Sequence, residues 1–190
     1  MLVSLASVCA AADSSLQRYG VRVRGIYVIP DEKFDGRLSG LNLSLDEYAA
    51  PELDLEYFFT KNISTELALA LTKHDIHSGN TNIGSTWLLP PSLLVKYHPI
   101  PCWQISPYIG FGINVVMPFD EHLAGHPEFK VSTSIGYAAQ VGADIKLTKH
   151  VYWNVDLKYY DGSPDMTLGG QKYKLHVNPW IAGTGIGVRF

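Results

Sequence analysis

The stretch VSTSIGYAAQVGADIKL, Val131–Leu147, decides the fold class because its side chains alternate in character along its whole length. Its odd-numbered positions are apolar, with Thr133 among them, and its even-numbered positions are small or polar, from Ser132 to Lys146. An α-helix turns by about 100° per residue and would scatter both sets around its axis. The stretch therefore predicts a β-strand with one apolar face and one polar face.

The same period of two recurs elsewhere and predicts an antiparallel barrel of eight strands, an even number as in bacterial outer-membrane barrels. A change of phase near Asn178–Trp180, beside Pro179, predicts a bulge in the last strand. The other segments are Val21–Ile29, Leu53–Phe59, Ile63–Thr72, Leu93–His98, Ile105–Met117, Val151–Tyr160 and approximately Lys172–Phe190.

The predicted connections alternate between long and short. Long loops at one end and tight turns at the other are the arrangement of up-and-down barrels in outer membranes. The short turns are Thr60–Asn62, Pro99–Trp103 and Thr148–His150, and the long loops are approximately Pro30–Ala50, His74–Gly84, Pro118–Lys130 and Asp161–Gly170.

The charged residues show which face meets lipid, because every charge in these strands falls on the less apolar face. An eight-stranded barrel has an interior only just wide enough for side chains to fill, so large apolar residues such as Phe111 and Trp153 fit outside it. Opposite charges inside can pair. The expected interior charges are Arg22, Arg24, Asp54, Glu56, Glu66, Lys96, Asp144, Lys146, Asp156, Lys158 and Arg189. A soluble ligand-binding barrel would have the opposite arrangement, and extraction without detergent would identify one.

The composition and the two ends fit export to an outer membrane. No apolar run approaches the roughly 18 residues of a membrane helix, and the net charge of -3 argues against a nucleic-acid partner. Residues 1–12 resemble a signal peptide without its basic start, with Ala10 and Ala12 before the cleavage site, which leaves residues 13–190 as one barrel domain. Phe190, at the end of the last strand, predicts an insertion signal read by the outer-membrane assembly machinery.

No pattern in the sequence predicts an enzyme, a cofactor or a metal site. The usual zinc-protease, redox and hydrolase motifs are missing. Ser163 and His176 have nothing in the sequence to orient them as a catalytic pair. The histidines that follow Thr72 and Pro118 (His74, His77, His122 and His126) are expected to be solvated loop residues rather than ligands.

Stretches that cover most of the mature chain, and most specifically its C-terminal residues, resemble a known family, the OmpW family of outer-membrane proteins. The similar stretches are LPPSLLVKY (Leu89–Tyr97), PYIGFGINV (Pro107–Val115), AAQVGADI (Ala138–Ile145), LGG (Leu168–Gly170) and NPWIAGTGIGVRF (Asn178–Phe190). The resemblance implies a narrow, partly apolar passage for small hydrophobic compounds, with Pro90 and Pro91 marking a lateral opening. Ala68 and Lys158 stand where family members carry bulky apolar residues. The expected apolar lining is instead Phe58, Trp87, Leu88, Leu94, Tyr173 and Leu175 in the extracellular half.

The function expected from these observations is passage of small hydrophobic molecules, which leave sideways into the bilayer because the charged lower bore blocks a straight pore. The expected partners are the lipid bilayer, the assembly machinery and a small hydrophobic ligand or detergent, with the barrel as a monomer. The alternative is a surface receptor for bacteriocin, phage or host contact without transport. Deleting the loop Pro30–Ala50 would abolish such binding and leave uptake intact.

Overall fold

The computed structural model describes residues 16–29, 32–34, 43–45, 48–78, 81–123, 130–162, 165–168 and 171–190, and side chains within 16–29, 49–71, 90–117, 132–162 and 178–190. No helix among these residues has the length and apolar character needed to cross a membrane. The strands are β1 Tyr19–Ile29, β2 Glu32–Phe34, β3 Leu43–Leu45, β4 Tyr48–Phe58, β5 Ile63–Ala70, β6 Thr72–Ser78, β7 Thr81–Leu89, β8 Ser92–Tyr97, β9 Ile105–Leu123, β10 Lys130–Val131, β11 Ser134–Lys146, β12 Val151–Asp161, β13 Asp165–Leu168, β14 Gln171–Val177 and β15 Trp180–Arg189.

Eight of these strands close into an antiparallel barrel in the order β1, β4, β5, β8, β9, β11, β12 and β15, with β15 paired back onto β1. The predicted fold class and strand number are confirmed. Closure matters because an unpaired strand edge inside a bilayer would leave backbone groups without hydrogen bonds. The seam is complete at its end, where the backbone N–H of Tyr19 donates to the Phe190 carbonyl at 3.0 Å and the Phe190 N–H donates back at 2.9 Å.

The two faces of each strand are sorted as the alternation predicts. On β1, Val23 is 63% exposed whereas the next residue, Arg24, is 2% exposed. Large apolar side chains cover the outside, including Phe111 and Tyr137, both 62% exposed, and Ile135 at 73%. Large apolar side chains therefore cover the outer surface of the barrel, and the charged side chains face the bore.

The two ends of the barrel differ in their connections. Three short turns join β4 to β5, β8 to β9 and β11 to β12, and all lie at the end where Tyr19 meets Phe190. β9 is 19 residues long and extends to the other end, where its residues from Met117 to Leu123 pair with β7. A separate sheet at that end contains β10, β13, β14 and β2. By the rule for outer-membrane barrels, the short-turn end faces the periplasm.

The predicted loop His74–Gly84 is largely a hairpin, in which β6 and β7 pair from Thr72 opposite Leu88 to Ser78 opposite Thr81. The sequence predicts a loop here because His74–Gly84 contains only two large apolar residues, Ile76 and Ile83, which are too few to show an alternation. The bulge predicted near Asn178–Trp180 in one long last strand is instead a break between two strands. β14 ends at Val177 and belongs to the sheet of β10, β13 and β2, whereas β15 begins at Trp180 and belongs to the barrel.

Candidate functional site

Arg22 of β1 lies at the centre of the bore and is 1% exposed. Its guanidinium lies 3.2 Å from an Asp54 oxygen, 3.3 Å from Glu56 and 3.5 Å from Asp144, and it also pairs with Glu66. These carboxylates come from β4, β5 and β11, so one arginine connects three other strands through the interior.

Arg24, two residues further along β1, makes a second set of contacts towards the extracellular side. Its Nε lies 2.6 Å from an Asp54 oxygen, its Nη1 donates to the Asn154 side-chain oxygen at 3.1 Å, and it pairs with Glu52 and Asp156. Asp54 therefore lies between the two arginines and accepts from both.

Two lysines and a third arginine complete the ion-pair layer, as we call this group of buried charges. The Lys96 ammonium lies 2.8 Å from Glu66 and 3.0 Å from Glu56, and the Lys158 ammonium lies 2.8 Å from Glu52. Arg189 pairs with Asp144. Because buried charges are tolerable only when paired and hydrogen-bonded, this mutual pairing explains how the bore holds so many of them.

Glu52 is the member of this layer that the sequence prediction missed. It is 3% exposed and has the same phase as Asp54 and Glu56, but the predicted strand began after Pro51. Proline is tolerated at Pro51 because it lies beyond the last residue pair between β4 and β5, which is Glu52 with Ala70. With Glu52 included, six acidic and six basic side chains among those that the structure describes face the bore. The basic Lys146 is half-buried and donates to the Pro101 carbonyl at 2.9 Å.

Aromatic side chains pack below the ion-pair layer, at the short-turn end of the bore. The Arg189 guanidinium lies over the rings of Phe58 and Tyr152, at 4.3 and 4.6 Å from their centroids. The Phe58 ring also contacts His98, at 5.5 Å between centroids. Phe58 therefore lies in the periplasmic half, and its predicted place in an extracellular lining is wrong because β4 descends from Tyr48 to Phe58.

Above the ion-pair layer most buried side chains are apolar, although Ser92 and Asn114 are also buried there and Ser92 hydrogen-bonds the Tyr160 hydroxyl at 2.9 Å. We call the apolar residues the apolar layer, and Leu94, which is fully buried, is the member that belonged to the predicted lining. Other members of the layer could have been predicted from the alternation, since Ile26 and Val28 lie on the same face of β1 as Arg24. Trp87 and Leu88 belong to β7, and Tyr173 and Leu175 to β14, but their side chains lie outside those described. The apolar layer comprises Ile26, Val28, Ala50, Ala70, Leu94, Ala138, Tyr160 and Ile181.

The barrel wall is interrupted beside the apolar layer, at the double proline. The last pair between β5 and β8 is Ala68 with Ser92, and pairing resumes in the same register with Thr72 opposite Leu88. Between these pairs, the described segments 69–71 and 89–91 have no cross-strand pairing to each other. Pro90 has no N–H to donate across this seam, whereas Pro91 faces β9, where its carbonyl accepts from the Val115 N–H at 2.9 Å. We call this interruption the wall gap.

The histidines and the serine that the sequence analysis considered as ligands or as a catalytic pair lie outside the described side chains. The side chains of His74, His77, His122, His126 and His176, and the whole of Ser163, lie outside the described part of the chain. Within the described residues, no group of three or more His, Cys, Asp or Glu could hold a metal ion.

Comparisons with known proteins agree with this architecture. The model of the OmpW family matches residues 19–190. An uncharacterised outer-membrane protein of Sinorhizobium fredii, y4mB, is 33% identical over 93% of this chain and 82% of its own length. Outer membrane protein W of Vibrio cholerae is 29% identical over 86% of this chain and 84% of its own. The crystal structure of OprG from Pseudomonas aeruginosa superposes with a TM-score of 0.79 at 27% identity, covering 90% of this chain and 95% of that one.

Proposed function

The chain belongs to the OmpW family and resides in the outer membrane, and on that premise we propose that it gives small hydrophobic molecules passage from the extracellular mouth into the bilayer. They enter the bore from above, contact the apolar layer, and leave sideways through the wall gap. The observation that supports this proposal is that the unpaired backbone of the wall gap lies beside the apolar layer, since Ala70 belongs to both.

The ion-pair layer makes a straight route unfavourable. Its arginines and lysines are at most 2% exposed, apart from Arg189 and Lys146 at the lower end, and they are held in place by paired carboxylates. A hydrophobic molecule crossing this level would have to separate buried ion pairs, each of which loses several kcal/mol when one partner is left alone.

The apolar layer and the wall gap provide the alternative route. Apolar contact favours entry by roughly 25 cal/mol for each Å² removed from water. At the wall gap, Ala70 presents only a methyl group to the bore, and Leu69 and Ala70 stay paired with β4. The interruption is thus confined to one seam, with small side chains on its inner side.

A disulfide staple across the wall gap tests this route. Continuing the register places residue 69 opposite residue 91, so Leu69→Cys with Pro91→Cys would bridge the gap in a background where both native cysteines are serine. The matched control is Leu67→Cys with Leu93→Cys, a paired position two residues below. The readout is uptake of the hydrophobic dye N-phenylnaphthylamine by cells, with and without reductant.

We expect the oxidised gap staple to reduce uptake to the level of cells without the protein, and reductant to restore it. The control staple should leave uptake unchanged in both states. If the oxidised gap staple transports the dye as fast as its reduced form, the lateral route is wrong.

A further inference from the structure

Two of the three short turns share the same sequence pattern and the same geometry, with a lysine at the tip. They read Phe59-Thr60-Lys61-Asn62-Ile63 and Leu147-Thr148-Lys149-His150-Val151. The Thr60 hydroxyl accepts from the N–H groups of Asn62 and Ile63 at 3.1 and 3.0 Å, and the Thr148 hydroxyl accepts from His150 and Val151 at 3.2 and 3.0 Å. The threonines thus fix both turns and hold each lysine at the rim.

Arg18 connects these turns into one surface. Its carbonyl accepts from the Phe58 N–H at 2.8 Å beside the first turn, and the neighbouring Gln17 amide donates to the Lys149 carbonyl at 3.3 Å in the second. The strands involved, β11, β12, β15, β1, β4 and β5, are consecutive around the barrel. We call Arg18, Lys61 and Lys149 the basic arc.

Among the described residues at this end of the barrel, the basic arc has no Asp or Glu neighbour, and the Phe190 carboxyl group accepts from the Tyr19 backbone N–H at 3.0 Å without an ion pair to the arc. Residues 16–20, 58–63, 98–105, 146–151 and 188–190 include no Asp or Glu. No ion pair joins Arg18, Lys61 or Lys149 to another described residue, unlike the basic residues of the ion-pair layer. Their charges are therefore available to an anionic partner outside the protein.

Exposed aromatic side chains place the arc at the level of the lipid headgroups. Tyr19 is 54% exposed, Phe59 53% and Phe190 61%, and all lie next to the arc. Aromatic residues mark the interface of outer-membrane barrels, and lysine or arginine just beyond that level attracts anionic lipids.

We propose that the basic arc binds the phosphate groups of anionic phospholipids, such as phosphatidylglycerol, in the periplasmic leaflet of the outer membrane. The contact is independent of solute passage, since the arc lies at the opposite end of the bore from the wall gap. It gives the barrel a preference for anionic over zwitterionic lipid at one rim, and it holds the seam between β1 and β15 against that leaflet.

Native mass spectrometry of the full chain, in detergent micelles containing equal amounts of phosphatidylglycerol and phosphatidylcholine, measures this preference. The test variant is Lys61→Gln with Lys149→Gln, and Lys61→Arg with Lys149→Arg keeps the charge. The matched control is Lys33→Gln with Lys73→Gln, which removes the same charge from β2 and β6 at the other end. Folding of each variant is checked by its mobility in unheated gels.

We expect wild type to retain phosphatidylglycerol preferentially, and each lysine removed from the arc to lower that preference roughly fivefold at low salt. The arginine variant and the control should keep it. Equal preference in wild type and the arc variant would overturn the proposal, as would equal loss in the control, which would show that only net charge matters. If the arc binds an acidic protein and not lipid, wild type and the arc variant would also show equal lipid preference, and the proposal would be overturned.

Discussion

At the scale of single residues, the alternation of the sequence predicts which side chains face the bore but not which of them pair. Lys96 and Glu66 are 30 positions apart and Arg24 and Asp156 are 132 positions apart, and the closed register alone brings them together. Glu52 could have been predicted, because it alternates in step with Asp54 and Glu56. The position of Phe58 below the ion pairs depends on how far β4 extends toward the short-turn end. Pairing partners follow from the stagger between strands, which hydropathy does not encode.

Replacing Arg22 with methionine tests the ion-pair layer. Arg22→Met leaves several buried carboxylates without their shared cation, and we expect the free energy of unfolding to fall by about 3–5 kcal/mol. The matched control is Arg18→Met at the exposed rim, which should change it by no more than about 0.5 kcal/mol. Urea titration in detergent micelles, followed by tryptophan fluorescence, measures both. Equal stability of the two variants would mean that Arg22 does not organise the interior.

At the scale of elements, the sequence predicts the strands that cross the membrane better than those beyond it. Lipid on one side and a packed bore on the other impose the period of two on Val151–Asp161 and the other barrel strands. In the β6–β7 hairpin, His74–Gly84 contains only Ile76 and Ile83 as large apolar residues, so the sequence shows no alternation there and predicts a loop. The resemblance to the OmpW family implies a lateral opening at Pro90 and Pro91, which stays a prediction. The extent of the unpaired backbone there follows only from the register of β5, β6, β7 and β8.

Gly112 tests how closely β8 and β9 approach. A Cβ at Gly112 would lie 1.9 Å from the Leu93 carbonyl oxygen and 2.7 Å from the Leu94 Cα, which are backbone atoms that cannot move aside. We expect Gly112→Ala to lower stability by about 1–3 kcal/mol through forced separation of the strands. Gly25→Ala is the control, because a Cβ there meets nothing within 4 Å. The folded fraction in unheated gels measures the effect, and equal fractions would contradict this packing.

Phe190 tests how the last strand enters the barrel. Its ring stacks on Tyr19 with 6.0 Å between centroids, and its backbone closes the seam. We expect Phe190→Ala to fold several-fold more slowly into vesicles that contain the assembly machinery, and Phe190→Tyr to fold at the wild-type rate. Phe59→Ala removes another exposed aromatic ring at the same end and should fold normally. If Phe190→Ala and Phe59→Ala slow folding equally, the terminal ring has no special role.

At the scale of the whole molecule, one assignment connects the fold, the site and the proposed function: apolar side chains face lipid and ionised side chains face the bore. That sorting places paired charges in the lower bore, whereas the upper bore departs from it, since Ile26, Leu94 and Ile181 are apolar and face inward. In the proposed function, the wall gap is the exit for a hydrophobic solute. The sequence could predict the sorting because each strand repeats it, whereas the vertical division of the bore depends on the stagger of all eight strands.

Planar-bilayer recording of the purified barrel tests this account most directly, because ions can cross only if the ion-pair layer leaves an aqueous path. We expect wild-type protein to give no steady, wide conductance at moderate voltage while the same preparation still transports N-phenylnaphthylamine into vesicle membranes. A large, stable conductance that rises linearly with salt concentration would show a water-filled pore from end to end and would contradict the lateral route.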